Sequence, residues 1–356
     1  MIVLARILLP ENFGLLVLVT IFIMIAKVLA ESGFNTALIQ KKDADEVDFS
    51  SVFYLNLAVS SVLYFALYIL APYIASFFDG PQLVSVIRVL SLSLFLNAFN
   101  SIQNAIISRN MQFKKLFLSS LIAVIISGII GICMAISNFG VWALVVQQLT
   151  QQLLMTTVLF ITVKWRPKIL FSVNRIRSLF SFGWKLMIST LIDNIYSNLR
   201  SLLISKMFSP VFLGFYSRGE QFPSFIVNNL NGSIQSVLLP ALASQQEDRN
   251  RIKEMVRRSI VTSSFIIFPM MVGLTVVAKP LVLILLTEKW LPAVPFLQIF
   301  CAIYALWPIH TANLQAINAI GRSDIYLKLE IVKKLIGIVI LAISIPFGIY
   351  AIAFTI

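Results

Sequence analysis

Arg88, Arg200 and Arg218 are the residues of this sequence with most to offer chemically, because each falls inside a long apolar stretch. A charge at a bilayer centre costs roughly 2.5–3.5 kcal/mol on insertion scales, so such residues face protein or water rather than lipid. A guanidinium is planar and donates paired hydrogen bonds, which suits phosphate and diphosphate groups. The three arginines are therefore candidate anion-binding positions in a water-filled cavity. Asp193, Glu220 and His310 also lie in apolar segments and are candidates for proton or cation coupling. A second reading stands beside each. Asp193, Ser197 and Arg200 share one helix face, so Asp193 and Arg200 can form a structural pair. Lys27 lies within a turn of a helix end, where it can snorkel. Polar stripes at Asn97, Asn100 and Asn104, at Glu220, Ser224, Asn228 and Asn231, and at Gln147 and Gln151 can serve as interhelical glue.

Other chemistries have no residues to work with. His310 is the sole histidine, so neither a His-based metal cluster nor a Ser-His-Asp arrangement can be assembled. Cys133 and Cys301 sit in apolar runs and read as small hydrophobes rather than a disulfide or metal pair. Trp142, Trp165, Trp184, Trp290 and Trp307 fall mostly at segment ends, as an interfacial belt would. No metal, cofactor or catalytic residue is expected, and the chain does not read as an enzyme.

The elements that must position these residues follow from composition. Of 356 residues, 59% are hydrophobic and only 12% charged, with a mean hydropathy of +0.92. A soluble domain carries about twice that share of charge, so lipid is the solvent for much of this surface. Apolar runs long enough to span lie near 13–33, 51–74, 83–108, 116–137, 141–163, 180–206, 211–240, 258–278, 293–320 and 327–345. The expectation is an all-α polytopic membrane protein with about ten complete transmembrane helices and partial helices at both ends. Both termini interrupt apolar runs, which reads as a piece of a longer chain.

The net charge of +13 does not mark a nucleic-acid binder, because the basic residues are spread through short connections. The connections at 34–50, 109–115, 164–185, 245–258 and 321–334 hold twenty Lys and Arg, against four (Arg6, Lys206, Lys279, Lys289) in the opposite set. That asymmetry assigns the first set to the cytoplasm, although 41–48 is itself net acidic. An internal repeat is also legible. Pro10-Glu11-Asn12-Phe13-Gly14 recurs as Pro210-Val211-Phe212-Leu213-Gly214, and AIISRNMQFKK at 105–115 resembles NAIGRSDIYLK at 318–328, placing Arg109 over Arg322. Both copies begin at equivalent turns, so the repeat is parallel. It divides the chain into an N-terminal bundle, 1–163, a basic amphipathic cytoplasmic linker, 164–185, and a C-terminal bundle, 186–356.

Six stretches carry a family resemblance: LARILLPENFG at 4–14, ESGFNTALIQKKD at 31–43, SRNMQFKK at 108–115, NFGVWALVVQQ at 138–148, WRPKILFS at 165–172 and FSPVFLGFYSRGEQF at 208–222. Their order resembles the polysaccharide exporter branch of the multidrug/oligosaccharidyl-lipid/polysaccharide superfamily, and is similar in particular to colanic-acid and teichuronic-acid type flippases. The resemblance implies two pseudo-symmetric helical bundles of MATE-like architecture around a V-shaped cavity. It implies flipping of undecaprenyl-diphosphate-linked oligosaccharide across the bacterial inner membrane by alternating access, for surface or exopolysaccharide biosynthesis. The implied partners are the lipid-linked oligosaccharide, membrane lipids and other polysaccharide assembly proteins. Members of the family usually carry a full helix before the LARILLPENFG-like stretch and further helices beyond residue 356. A drug or cation antiporter on the same scaffold is the main rival; a polysaccharide polymerase is a weaker one, since the non-cytoplasmic connections are short.

Overall fold

The computed structural model describes residues 1–31, 33–41, 43–243, 248–319 and 323–355. Lys42 and Arg322, used in the basic-loop count and the repeat, lie outside the described residues. Within them the chain is all α. The helices are α1 (Ile2–Ile7), α2 (Pro10–Glu31), α3 (Phe34–Gln40), α4 (Glu46–Phe77), α5 (Gln82–Leu90), α6 (Ser93–Arg109), α7 (Phe113–Ile136) and α8 (Val141–Thr162). They continue as α9 (Val173–Met207), α10 (Pro210–Ala243), α11 (Arg249–Val276), α12 (Ala278–Leu285), α13 (Val294–Ala305), α14 (Trp307–Ala319), α15 (Ser323–Ser344) and α16 (Ile349–Ala353), with short 3₁₀ turns at Glu288–Ala293 and Ile345–Phe347.

Backbone groups in hydrocarbon must bond within their own segment, and a helix achieves this without edges. Among the described residues seven helical segments are long and apolar enough to cross a membrane: α2, α4, α5 with α6, α7, α8, α11, and the 3₁₀ turn with α13 and α14. The other three expected spans are helical too, as parts of α9, α10 and α15. They are not among the seven; α9, for one, carries Arg175, Arg177, Lys185, Asp193, Arg200 and Lys206.

Two compact units form, Met1–Val211 and Phe212–Ile356. In the first, α7 and α8 make an antiparallel hairpin, α6 packs between α4 and α8, and α9 packs on α2, α3 and α4. The division at 211/212 therefore differs from the repeat-based boundary at 164–185, because the helix that follows the linker is built into the first unit. Residues 164–172 are irregular, and the helix from Val173 continues unbroken to Met207. Leu179, 5% exposed, joins Phe34, Leu38, Val52, Phe53 and Ile102 in a core cluster instead of facing lipid.

The linker is held from below by the acidic 41–48 connection. Ser50 and Ser51 of α4 accept hydrogen bonds from the backbone N–H groups of Lys168 (3.2 Å) and Ser172 (2.9 Å). Lys168 pairs with Glu46, and Arg175 reaches Asp45 (3.3 Å) and Asp48 (3.7 Å). Asp48 is fully buried and also takes Lys41 at 2.6 Å, while Asp45 and Asp48 cap α4 reciprocally. The net acidic run that sat oddly among basic connections is thus the counter-charge of the linker. Arg109 closes the same region by donating to the Leu38 carbonyl (3.0 Å) and the Lys41 carbonyl at the end of α3.

The second unit is organised around Trp290, which is buried in the core against Phe215 rather than belted at an interface. Its indole would gain nothing from a headgroup layer once packed this way. Cys301 is buried, as a small hydrophobe should be, whereas Cys133 is exposed.

Candidate functional site

Arg88 sits in the last turn of α5, after the tight connection at Phe78–Pro81. Its Nε donates to the Tyr68 carbonyl of α4 at 3.3 Å, and its guanidinium carbon lies 4.0 Å from the centre of the Tyr68 ring. Stacking on the ring fixes the plane of the guanidinium. Its terminal amino groups make no hydrogen bond or ion pair among the described residues, and Arg88 lines an open groove of about 410 Å³ with Tyr64, Tyr68, Ser85 and Leu92. The arrangement is a fork of donors fixed on the Tyr68 ring, which is chemistry suited to a phosphate flanked by an apolar or sugar-like group.

Arg200 and Arg218 have a different character. Arg200 of α9 is 5% exposed, with its guanidinium 5.4 Å from the ring of Tyr196 one turn earlier. Asp193, two turns before Arg200 on the same helix, is exposed. Arg218 of α10 belongs to the second unit and is 8% exposed; it donates to the Gln221 side chain and lies 5.9 Å from the Trp290 ring. Of the three arginines, Arg88 is the one that lines this open groove.

Two of the coupling candidates are connected. Glu220 of α10 accepts a hydrogen bond from the Tyr304 hydroxyl at 3.0 Å. Tyr304 stacks on Trp307 at 5.3 Å, and Trp307 meets the His310 ring at 5.9 Å, so an aromatic run links Glu220 to His310 within the second unit. Glu220 stands beside Gly219, which packs so closely on α13 that an added Cβ would lie 2.6 Å from Phe296 Cβ. The small residue is what lets α10 and α13 approach and brings the carboxylate to Tyr304.

Two arrangements escaped sequence reasoning. One is the clip between the acidic connection and the linker, signalled only by opposite charge 130 residues apart. The other is Glu31 at the end of α2, which accepts a hydrogen bond from Asn97 of α6 at 2.9 Å and lies 3.9 Å from Lys27. The Asn97, Asn100 and Asn104 stripe was its legible half. At the end of α9 Lys206 pairs with Asp79 at 2.9 Å and lies over Phe77, next to a second cleft of about 310 Å³ that Glu11, Gln82 and Ser209 also line.

A family model described as "Polysaccharide biosynthesis protein" matches residues 3–295. The succinoglycan biosynthesis transport protein ExoT of Rhizobium meliloti (strain 1021) is 26% identical over 295 residues, which is 83% of this chain and 60% of that protein. The teichuronic acid biosynthesis protein TuaB of Bacillus subtilis (strain 168) is 26% identical over 305 residues, 84% of this chain and 62% of its own length. The chain thus spans about three-fifths of each of these curated relatives. Among solved structures, the lipid II flippase MurJ in an inward closed conformation superposes with a TM-score of 0.75 at 17% identity, covering 99% of this chain and 81% of that one. The Vibrio cholerae MATE transporter VcmN (D35N mutant) gives 0.56 at 14% identity, covering 99% and 92%. These likenesses establish a shared fold: an all-α polytopic membrane protein of the MATE-like type.

Proposed function

The chain belongs to the polysaccharide biosynthesis protein family, and on that premise we propose that it translocates a lipid-linked oligosaccharide across the bacterial inner membrane by alternating access. The observation that carries the reading is Arg88, whose guanidinium is fixed on Tyr68 and which lines an open groove. An undecaprenyl diphosphate head group is the anion we assign to it. The sugar chain is polar and needs a hydrated path, because unpaired hydroxyls cannot enter hydrocarbon without a large penalty. Arg200 and Arg218 are proposed as further cationic positions, and Asp193, Glu220 and His310 as coupling positions. The two compact units, Met1–Val211 and Phe212–Ile356, are the halves proposed to move. The described outer connections, such as Phe78–Pro81 and Phe208–Ser209, are short, which supports transport over a polymerase.

The test is appearance of lipid-linked precursor in the outer leaflet of cells carrying the longest natural form of the protein. Replacing Arg88, Arg200 and Arg218 singly is expected to slow it, Arg88 most. Equal precursor exposure in cells lacking the protein would sink the proposal. A cation antiporter reading has one observation in its favour, the likeness of fold to VcmN. Loss of resistance to cationic dyes on deletion, with surface polysaccharide unchanged, would favour that reading.

A further inference from the structure

Lys114 and Lys115 stand in the first turn of α7, which holds no acidic residue. Cations are disfavoured at that end of a helix, where unpaired N–H groups carry partial positive charge, and an anion is favoured there. The neighbouring sequence supplies none: from Gly80 to Ile192 the chain has ten Lys and Arg and not one Asp or Glu. The acidic connection before α4 is already engaged, since Asp45, Glu46 and Asp48 pair with Lys41, Lys168 and Arg175.

Packing adds two more cations. Leu116 and Trp165 both pack on the core cluster of Ile107, Leu159 and Val163. Lys114 and Lys115, just before Leu116, therefore come to the same end of the α7–α8 hairpin as Lys164 and Arg166, on either side of Trp165. Arg166 is held in place there: its Nη1 donates to the Val163 and Trp165 carbonyls at 2.7 Å each, and its guanidinium carbon lies 4.3 Å from the centre of the Phe160 ring. Lys114, Lys164 and Arg166 are exposed. None of the four makes an ion pair among the described residues.

An apolar surface continues from this basic corner. Lys114, Phe117, Leu121 and Ile125 follow at spacings of three and four on α7, so they share one face. Phe117 is 65% exposed, and Leu121, Ile125 and Ile129 are exposed below it. From Phe117 to Ile129 the helix rises about 18 Å, against about 15 Å for the hydrocarbon of one leaflet. A soluble anion or a nucleic acid has no use for that face, whereas a lipid with a charged head and acyl chains fits both parts. We propose that Lys114, Lys115, Lys164 and Arg166 form the headgroup site of an anionic phospholipid of the cytoplasmic leaflet, with its acyl chains along the exposed face of α7. The bound headgroup neutralises the cations at the start of α7 and fixes the depth of the hairpin in the bilayer. The proposal rests on the cytoplasmic orientation of the basic connections, not on the transport reading.

The experiment titrates the purified full chain in detergent with dioleoyl phosphatidylglycerol, dioleoyl phosphatidylethanolamine or undecaprenyl diphosphate, and counts bound lipid by native mass spectrometry. Phosphatidylglycerol is expected to bind more tightly than phosphatidylethanolamine. Replacing Lys114, Lys115 and Lys164 together by Gln should weaken phosphatidylglycerol binding by about tenfold or more, since each cation at a bilayer surface contributes up to about fivefold. Phosphatidylethanolamine binding should stay as it was. A charge-matched control replaces the exposed Lys253, Arg257 and Arg258 of α11 by Gln and should keep wild-type affinity. Circular dichroism reports whether the triple variant folds; if it does not, Lys114→Gln alone decides, with an expected loss of about threefold to fivefold. Equal affinity of the wild-type chain for the two phospholipids overturns the proposal. So does undiminished phosphatidylglycerol binding in whichever variant folds, or an equal loss in the control, which would reduce the effect to net charge. A larger loss for undecaprenyl diphosphate than for phosphatidylglycerol would hand the corner to a lipid-linked precursor and overturn it too. No flipping is measured, so failure here leaves the transport reading intact, and failure of the flipping test leaves the headgroup site intact.

Discussion

Arg88 keeps its plane by stacking on Tyr68 and spends one donor on the Tyr68 carbonyl, leaving the fork of terminal nitrogens for a ligand. A charge-assisted hydrogen bond contributes about 1.5–3 kcal/mol, so Arg88→Gln is expected to lower precursor flipping by roughly tenfold to a hundredfold, on the same principle. Arg88→Lys keeps the charge but loses the paired geometry; it should fall between wild type and Arg88→Gln. The measurement is initial rate of precursor exposure at matched expression, and a wild-type rate for Arg88→Gln would remove Arg88 from the site. Asp48 makes the opposite point, that a charge can be structural. It is fully buried, and Lys41 at 2.6 Å is its nearest counter-charge, with Arg175 at 3.7 Å. Lys41→Met would leave a buried carboxylate poorly compensated, at a cost of about 3 kcal/mol. Detergent-phase unfolding should show that loss clearly, and a midpoint equal to wild type would argue against it.

At the level of elements, the clip of α4 and the linker carries a pH signature. The Asp48 backbone N–H, and after it the charge of Arg175, hold the Asp45 carboxyl below its usual value of 3.8. A carboxyl whose pKa is lowered on folding adds stability above its unfolded value. That stability is lost as the pH falls through the folded value. Asp45→Ala is therefore expected to cost about 1 kcal/mol near neutrality, the usual loss for an N-cap. The difference between variant and wild type should shrink in acid below 3.8, and a pH-independent difference would assign it to packing alone. The start of α3 gives a sharper steric case. Gly33 adopts φ +72°, and a Cβ there would lie 2.2 Å from the Gly183 carbonyl oxygen of α9. Gly33→Ala must both strain the backbone and part α3 from α9, so lowered stability and raised protease sensitivity of the 163–172 stretch are expected together.

For the whole molecule, the orientation inferred from basic connections can be checked directly. In a background with Cys133 and Cys301 replaced by serine, a cysteine at Lys168 should react with a membrane-impermeant maleimide only after permeabilisation. A cysteine at Asp79 should react in intact cells. The opposite pattern would invert the topology, and with it the direction of transport proposed. The exposed apolar side chains of α4 and α7, among them Val62, Phe65, Ile69, Phe117, Ile125 and Ile129, are what a bilayer-embedded surface requires.

The sequence by itself determined that this is a polytopic helical membrane protein, where its helices lie, and which family its motifs resemble. Those properties are written in local hydropathy, in the loop distribution of Lys and Arg and in contiguous motifs, none of which depends on how helices meet. It also picked out the Asn stripe of α6 and the isolated arginines, because charge and amide groups are conspicuous in apolar runs. The partners of those residues belonged to the tertiary structure. Whether Arg88 lines a groove while Arg218 is buried depends on what α4 and the 3₁₀ turn at Glu288–Ala293 place beside them. That Glu31 meets Asn97, or Asp48 meets Arg175, depends on contacts spanning 66 and 127 positions, which no periodicity encodes. The linker shows the same division. Its basic, amphipathic composition was legible, yet Leu179 and Ile176 turned to a protein core while Phe171 and Phe180 stayed exposed, since both environments reward burial equally and only packing chooses between them.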